Sequence, residues 1–132
     1  MKTLEELTFP ESLRYTVEHV WIHMDGAEAV IGISDFAQDQ LGEIAFVDLP
    51  SEGAHFEGGS DFGTVESLKS VNQLYMPVSG EVVSSNEELE STPTLVNISP
   101  YDRGWMIRIR PDDPSAVLSL LDAAGYRTGL KN

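Results

Sequence analysis

Eleven glycines and seven prolines cut this 132-residue chain into short runs, and that punctuation limits its fold more than any other feature. Glycine marks turns by supplying positive φ angles, and proline by fixing φ and removing a backbone donor. The pieces between them read mostly as brief strands. Val20 to Met24, the dipeptide Asp25-Gly26, and Ala27 to Ile33 have the form of a β-hairpin. At strand spacing Trp21 and Met24 point to opposite faces. Ile44 to Leu49 is a strand stopped by Pro50, Phe62 to Ser67 and Leu74 to Met76 form a second hairpin, and Glu81 to Ser84 and Trp105 to Arg110 add two more strands.

Helical signals are fewer and short. Met1 to Ser12 reads as a loosely attached lead-in, with any turn begun at Leu4 ended by Pro10. Ser34 is an N-cap for Asp35 to Leu41, and Gly42 is its stop. Asn86 caps a turn through Leu89, and Ser91 to Pro93 and Ser99 to Gly104 read as loops. The best helical pattern covers about 114–124, with Asp113 as cap, Pro114 first, Val117, Leu118, Leu121 and Ala124 on one face, and Gly125 as the end. These elements predict a mainly β fold, a small sandwich or flattened barrel, with short peripheral helices at the N-terminal side and the C-terminus. At 41% hydrophobic content, residues 1–132 form one domain with a real core.

Several function classes drop out. No run is long and apolar enough for a membrane span, and the N-terminal residues lack the apolar core of a signal peptide, so the expected location is cytoplasmic. A net charge of −14 argues against nucleic acid, whose binding needs basic groups, and against anionic membranes. The acidity either steers association with basic partners or adapts the protein to a salty cytoplasm. With no cysteine, the chain has no thiol of its own, and any sulfur chemistry must arrive on a cofactor. His19 and His23 would share a strand face too far apart to chelate one metal ion, and His55 has less support still. Neither a phosphate loop nor a nucleophile elbow is visible, so no catalytic residue is assigned.

Lys69 then stands out. The chain has three lysines, and Lys2 and Lys131 lie in its terminal segments. Lys69 alone is interior, at the tip of the hairpin spanning about 62–76, where a side chain is exposed on a stiff base. An ordinary solvated turn lysine would also sit there. Its surroundings add more: Glu66-Ser67-Leu68-Lys69-Ser70, followed by Pro77-Val78-Ser79-Gly80-Glu81-Val82, resembles the lipoyl-attachment hairpin of glycine cleavage system H proteins. Biotin carriers place methionines beside the lysine, where this chain has Leu68 and Ser70. Tyr15-Thr16, His19, Trp21, Ile31 to Ser34, Leu41 to Glu43, Phe46-Val47, Leu49-Pro50, Asn97, Pro100-Tyr101 and Gly104-Trp105 also fall in the H-protein order.

The resemblance implies a lipoyl-type barrel-sandwich hybrid and lipoic acid in amide linkage to Lys69, with Glu66, Ser67, Leu68 and Ser70 as the attachment motif. It implies a non-catalytic carrier that takes an aminomethyl group from glycine decarboxylase, delivers it to aminomethyltransferase, and is reoxidised by dihydrolipoamide dehydrogenase. A lipoate ligase or lipoyl transferase would modify Lys69. Three departures bear on the cargo: some members carry a histidine near Gln40, and there are two exchanges, since the family usually reads His-Glu-Trp where this chain has His19-Val20-Trp21, and Asn72-Gln73 replaces Ser-Asp. Each exchange removes a carboxylate that would attract a cationic amine. Either Glu18 or Glu66 supplies that charge instead, or the arm carries something else. H-like lipoate-binding proteins carry sulfur intermediates beside a heterodisulfide-reductase-like sulfur-oxidation complex, and others relay lipoate. A non-lipoylated interaction module that keeps only the fold is the remaining alternative.

Overall fold

The computed structural model describes residues 2–130. Its strands are β1 (Arg14–Tyr15), β2 (Val20–Asp25), β3 (Glu28–Ile33), β4 (Ile44–Asp48), β5 (His55–Phe56), β6 (Asp61–Ser67), β7 (Val71–Tyr75), β8 (Gly80–Ser85) and β9 (Ile107–Pro111). Between and after them come the helices α1 (Asp35–Leu41), α2 (Glu88–Ser91), α3 (Leu95–Ile98) and α4 (Ala123–Gly129). The strands make two antiparallel sheets, one ordered β1-β2-β3-β9-β8-β5 and the other β4-β6-β7. This is the mainly β, two-sheet arrangement with short helices that the punctuation predicts. Among the described residues no helix is long and apolar enough to cross a membrane.

Alternation along β2 builds both faces of the larger sheet. Val20 and Ile22 join Ile31, Ile33, Ile107 and Ile109 in the main core, which Val47, Phe62, Val65 and Leu74 complete from the smaller sheet. Trp21 points the other way, into a second cluster with Leu13, Tyr15, Ala123 and Tyr126. Its indole N–H donates to the Pro100 carbonyl at 3.0 Å, which satisfies the one polar atom it buries. The indole lies flat over Gly32 on the facing strand, where a Cβ would come within 2.8 Å of the ring. Only glycine leaves room for it.

The β2–β3 hairpin forms as expected, but its turn falls one residue later: Asp25 pairs with Glu28, so the two-residue loop is Gly26-Ala27 and not Asp25-Gly26, with Gly26 at φ +68°. Helix α1 starts and stops as read, with Ser34 Oγ accepting from the Ala37 amide and Gly42 turning out at φ +81°. Two other expectations need correction. The lead-in is tied down, because Asp35 accepts from the Thr8 amide at 2.9 Å, Tyr101 O–H donates to the Thr8 carbonyl at 2.6 Å, and Leu7 is buried.

The single helix expected over about 114–124 is two pieces, a 3-10 helix at Pro114–Ser119 and then α4. Asp113 caps and Pro114 leads, as read, but Leu121 leaves the helical path to pair with Tyr15 through two backbone hydrogen bonds of 2.8 and 3.0 Å. Strand pairing to β1 outcompetes helix continuation there. The chain restarts at Asp122, whose carboxylate accepts from the Gly125 amide, so Gly125 sits in a first turn and does not end a helix. Helix α3, unforeseen in sequence, buries Leu95 and Val96. Of the terminal lysines, Lys131 lies outside the described residues.

Candidate functional site

The β6–β7 hairpin closes at a four-residue turn. Glu66 pairs with Val71, and the Ser67 amide donates to the Ser70 carbonyl at 2.8 Å. Ser67 is buried, and its Oγ accepts from the amides of both Lys69 and Ser70 at 3.1 Å. The Leu68 amide is taken by the Glu43 carbonyl at 3.2 Å, so the tip is also tied to the loop after α1. Every backbone donor from Ser67 to Ser70 therefore has a partner, which makes the backbone of the tip rigid. The Leu68, Lys69 and Ser70 side chains are exposed, and Glu66 faces solvent on β6. Exposed Leu68 and Val71, 72% and 62% accessible, flank the lysine with apolar surface.

Lys69 extends over the end of α1. Its Nζ lies 3.5 Å from the Gln40 carbonyl, the outer limit of a hydrogen bond, and a Cβ on Gly42 would come within 3.3 Å of its Cε. Among the described residues Lys69 makes no salt bridge. An amine held on a fixed turn, fully reachable and tied to no carboxylate, suits acylation, which removes the charge at little electrostatic cost. Residues and arrangement thus fit a lipoyl group in amide linkage.

Beside the lysine a cleft of about 420 Å³ opens between α1 and β7. Gln40, whose carbonyl the amine approaches, is one of its walls. Ile33, Phe36, Leu41, Val65 and Leu74 supply apolar surface, and Glu18, His19, Asn72, Gln73 and Tyr75 the polar groups. Val20 is not among them, for its side chain is 1% exposed inside the main core. Of the two substitute carboxylates, Glu18 faces the cleft and Glu66 does not. Gln73 lines it too, presenting a neutral amide.

His19 does not share a strand face with His23. It precedes β2 at φ +69°, turned out of the strand path, and lines the cleft, whereas His23 lines a separate groove of about 590 Å³ with Trp21, Trp105 and Arg108. Burial holds the His19 imidazole below its ordinary pKa. His55 pairs with Asp112 at 2.7 Å on the surface, and that hydrogen bond raises its pKa. Among the described residues no group of three or more histidines and carboxylates could hold a metal ion. The sequence places His19 in the family motif and speaks against it as a metal ligand, and it assigns Tyr126 no role. The two meet across 107 residues, a contact no local pattern encodes.

Comparison with known proteins supplies the rest. Residues 13–132 match the family model described as "Glycine cleavage H-protein". A glycine cleavage system H protein of Bacteroides thetaiotaomicron is 48% identical over 121 residues, covering 92% of this chain and 96% of that protein. One from Anoxybacillus flavithermus is 51% identical over 120 residues, covering 91% and 94%. A crystal structure of a glycine cleavage system H protein from Mycobacterium marinum superposes with a TM-score of 0.83 at 33% identity, covering 92% of this chain and all of that one.

Proposed function

This chain belongs to the glycine cleavage H-protein family, and we propose that it works through a lipoyl group attached to Lys69 at the tip between β6 and β7. It is a non-catalytic carrier, and its family bears lipoate covalently on a lysine. The observation that supports the assignment of Lys69 is its exposed amine, in no salt bridge among the described residues, on a fully hydrogen-bonded turn beside a cleft. Glu66, Ser67, Leu68 and Ser70 are the flanking motif that a lipoate ligase or lipoyl transferase reads. Ser67 sets the backbone of that motif, and the exposed Leu68 offers the ligase an apolar contact.

When bound, lipoate supplies the redox-active disulfide that this cysteine-free chain lacks. The protein's part is positioning. A rigid tip presents the tether at one place, so the cargo reaches each partner at high effective concentration without free diffusion. The partners are other enzymes of glycine cleavage: glycine decarboxylase, aminomethyltransferase and dihydrolipoamide dehydrogenase. Between visits the cleft walls of Phe36, Leu41 and Leu74 exclude water, and the Glu18 carboxylate offers a charge-assisted bond to an amine. Glu18 thereby replaces the carboxylate that Val20 cannot supply. The relatives' common name favours an aminomethyl cargo over the sulfur adduct and the lipoate relay.

Lipoylated protein, glycine and glycine decarboxylase are mixed, and exchange of the glycine carboxyl carbon with bicarbonate is followed. Exchange should depend on the carrier, vanish with Lys69→Ala, and weaken with Glu18→Gln. Fully lipoylated protein that supports no exchange would contradict the aminomethyl reading.

A further inference from the structure

One residue of the cleft has no use in the carrier function described above. His19 is the only non-glycine residue with positive φ among the described residues. That conformation is disfavoured for an L side chain and persists only where the surroundings impose it. Here the His19 amide donates to the Thr16 carbonyl at 3.0 Å, and the His19 carbonyl accepts from the Ser34 amide at 2.9 Å. The ring is fixed as well. Its Nδ1 lies 2.8 Å from the Tyr126 hydroxyl, and the ring packs against Phe36 at a tilt of 45°, with centroids 5.1 Å apart. Tyr126 is in turn stacked on Tyr15 at 4.7 Å.

The hydrogen bonds also fix where the imidazole proton sits. Ser34 is fully buried, and its Oγ accepts from the Ala37 amide and lies 2.7 Å from the Tyr126 hydroxyl. Among the described residues that hydroxyl oxygen is the one acceptor within reach of the Ser34 proton, so Ser34 donates to Tyr126. In the arrangement that satisfies both hydroxyl protons, Tyr126 donates to His19 Nδ1, which makes Nδ1 an acceptor and places the ring proton on Nε2. Nε2 has no hydrogen-bond partner among the described residues.

We propose that the Ser34–Tyr126–His19 chain holds His19 as a positioning residue, presenting a neutral Nε2–H into the cleft to receive a hydrogen-bond acceptor of the lipoyl arm on Lys69. The proposal rests on Lys69 as the attachment point. It adds a division of labour: Glu18 is the group for a cation, and His19 the donor for a neutral acceptor. It also ties the cleft to α4, the C-terminal helix that delivers Tyr126.

The test uses the full chain with 15N-labelled histidine, unmodified and lipoylated, with lipoylation verified by intact mass. His19 should show the Nε2–H tautomer in both forms, and its Nε2 signal should shift on lipoylation. Tyr126→Phe should mix the tautomers and largely abolish that shift. The rate at which a water-soluble phosphine reduces the arm's disulfide gives a second reading. It should rise several-fold in Tyr126→Phe and in His19→Asn, the latter retaining a residue tolerant of positive φ, towards the rate for free lipoamide. An Nδ1–H tautomer in the unmodified protein overturns the proposal whether or not Lys69 is lipoylated. So does an unmoved Nε2 signal, or unchanged reduction rates in both variants, once the adduct is present. A missing adduct instead contradicts the assignment of Lys69.

Discussion

Two bends carry the chemistry of this molecule, and they are held in opposite ways. The tip that bears Lys69 is fixed mainly by its own neighbours, since Ser67 Oγ takes the amides two and three residues on and the Ser67 amide closes the turn, with the Glu43 carbonyl on the Leu68 amide as its one distant tie. The bend that bears His19 has a local hydrogen bond to the Thr16 carbonyl, but its ring is fixed from a distance, by Tyr126 in α4, which Ser34 in the cap of α1 holds in turn. One side chain emerges into solvent, and the other is held half-buried against aromatic rings. A site that partners must reach is built on local hydrogen bonds, which survive exposure. The surface that shelters it needs long-range packing, which fails as a unit.

The contrast is broken most severely at the tip. Lys69→Ala should abolish lipoylation and all carrier activity while shifting stability by no more than about 0.5 kcal/mol, because the side chain is exposed, makes no salt bridge among the described residues and has only a long hydrogen bond to the Gln40 carbonyl. Intact mass and denaturant melts check both halves. Tyr126→Ala should do the reverse, costing about 3 to 5 kcal/mol as a large buried aromatic is removed. The surviving folded protein should still be lipoylated. Loss of lipoylation in that folded variant would show that tip and bend are not independent.

Ser67→Ala sharpens the comparison within the tip itself. It strips an acceptor from two amides, so a loss of about 1 to 3 kcal/mol is expected. Lipoylation kinetics should slow without the end point changing. The smallest expected effect is in pH. Burial lowers the His19 pKa, so the unfolded chain binds the proton more readily, and stability falls as pH drops below the ordinary value of about 6.5. His55, raised by its bond to Asp112, has the opposite sign: what it contributes is present at low pH and lost as pH rises through its folded pKa. His19→Asn should flatten the acid side of a stability profile, and Asp112→Asn should leave that side in place.

These differences also explain what the sequence could disclose. Strand alternation in Val20 to Asp25, the Ser34 cap and the lone interior lysine each depend on residues within a few positions, so each was readable. The tip belongs to that class. The C-terminal helix departs from its sequence pattern because Leu121 answers to Tyr15, more than a hundred residues earlier, and not to its own helical neighbours. The same holds for His19, whose left-handed backbone and tyrosine partner leave no mark in a chain read residue by residue. Glu18 was legible as a spare carboxylate, but its placement in the cleft followed only once the bend was known.

The central claim is that one amine, that of Lys69, carries the cofactor. Protein produced in cells that make lipoate and a lipoylating enzyme is digested, and its peptides are weighed. The account predicts a single lipoyl adduct, on the peptide containing Lys69. An unmodified Lys69 under those conditions, or an adduct on Lys2 or Lys131 in its place, would contradict it.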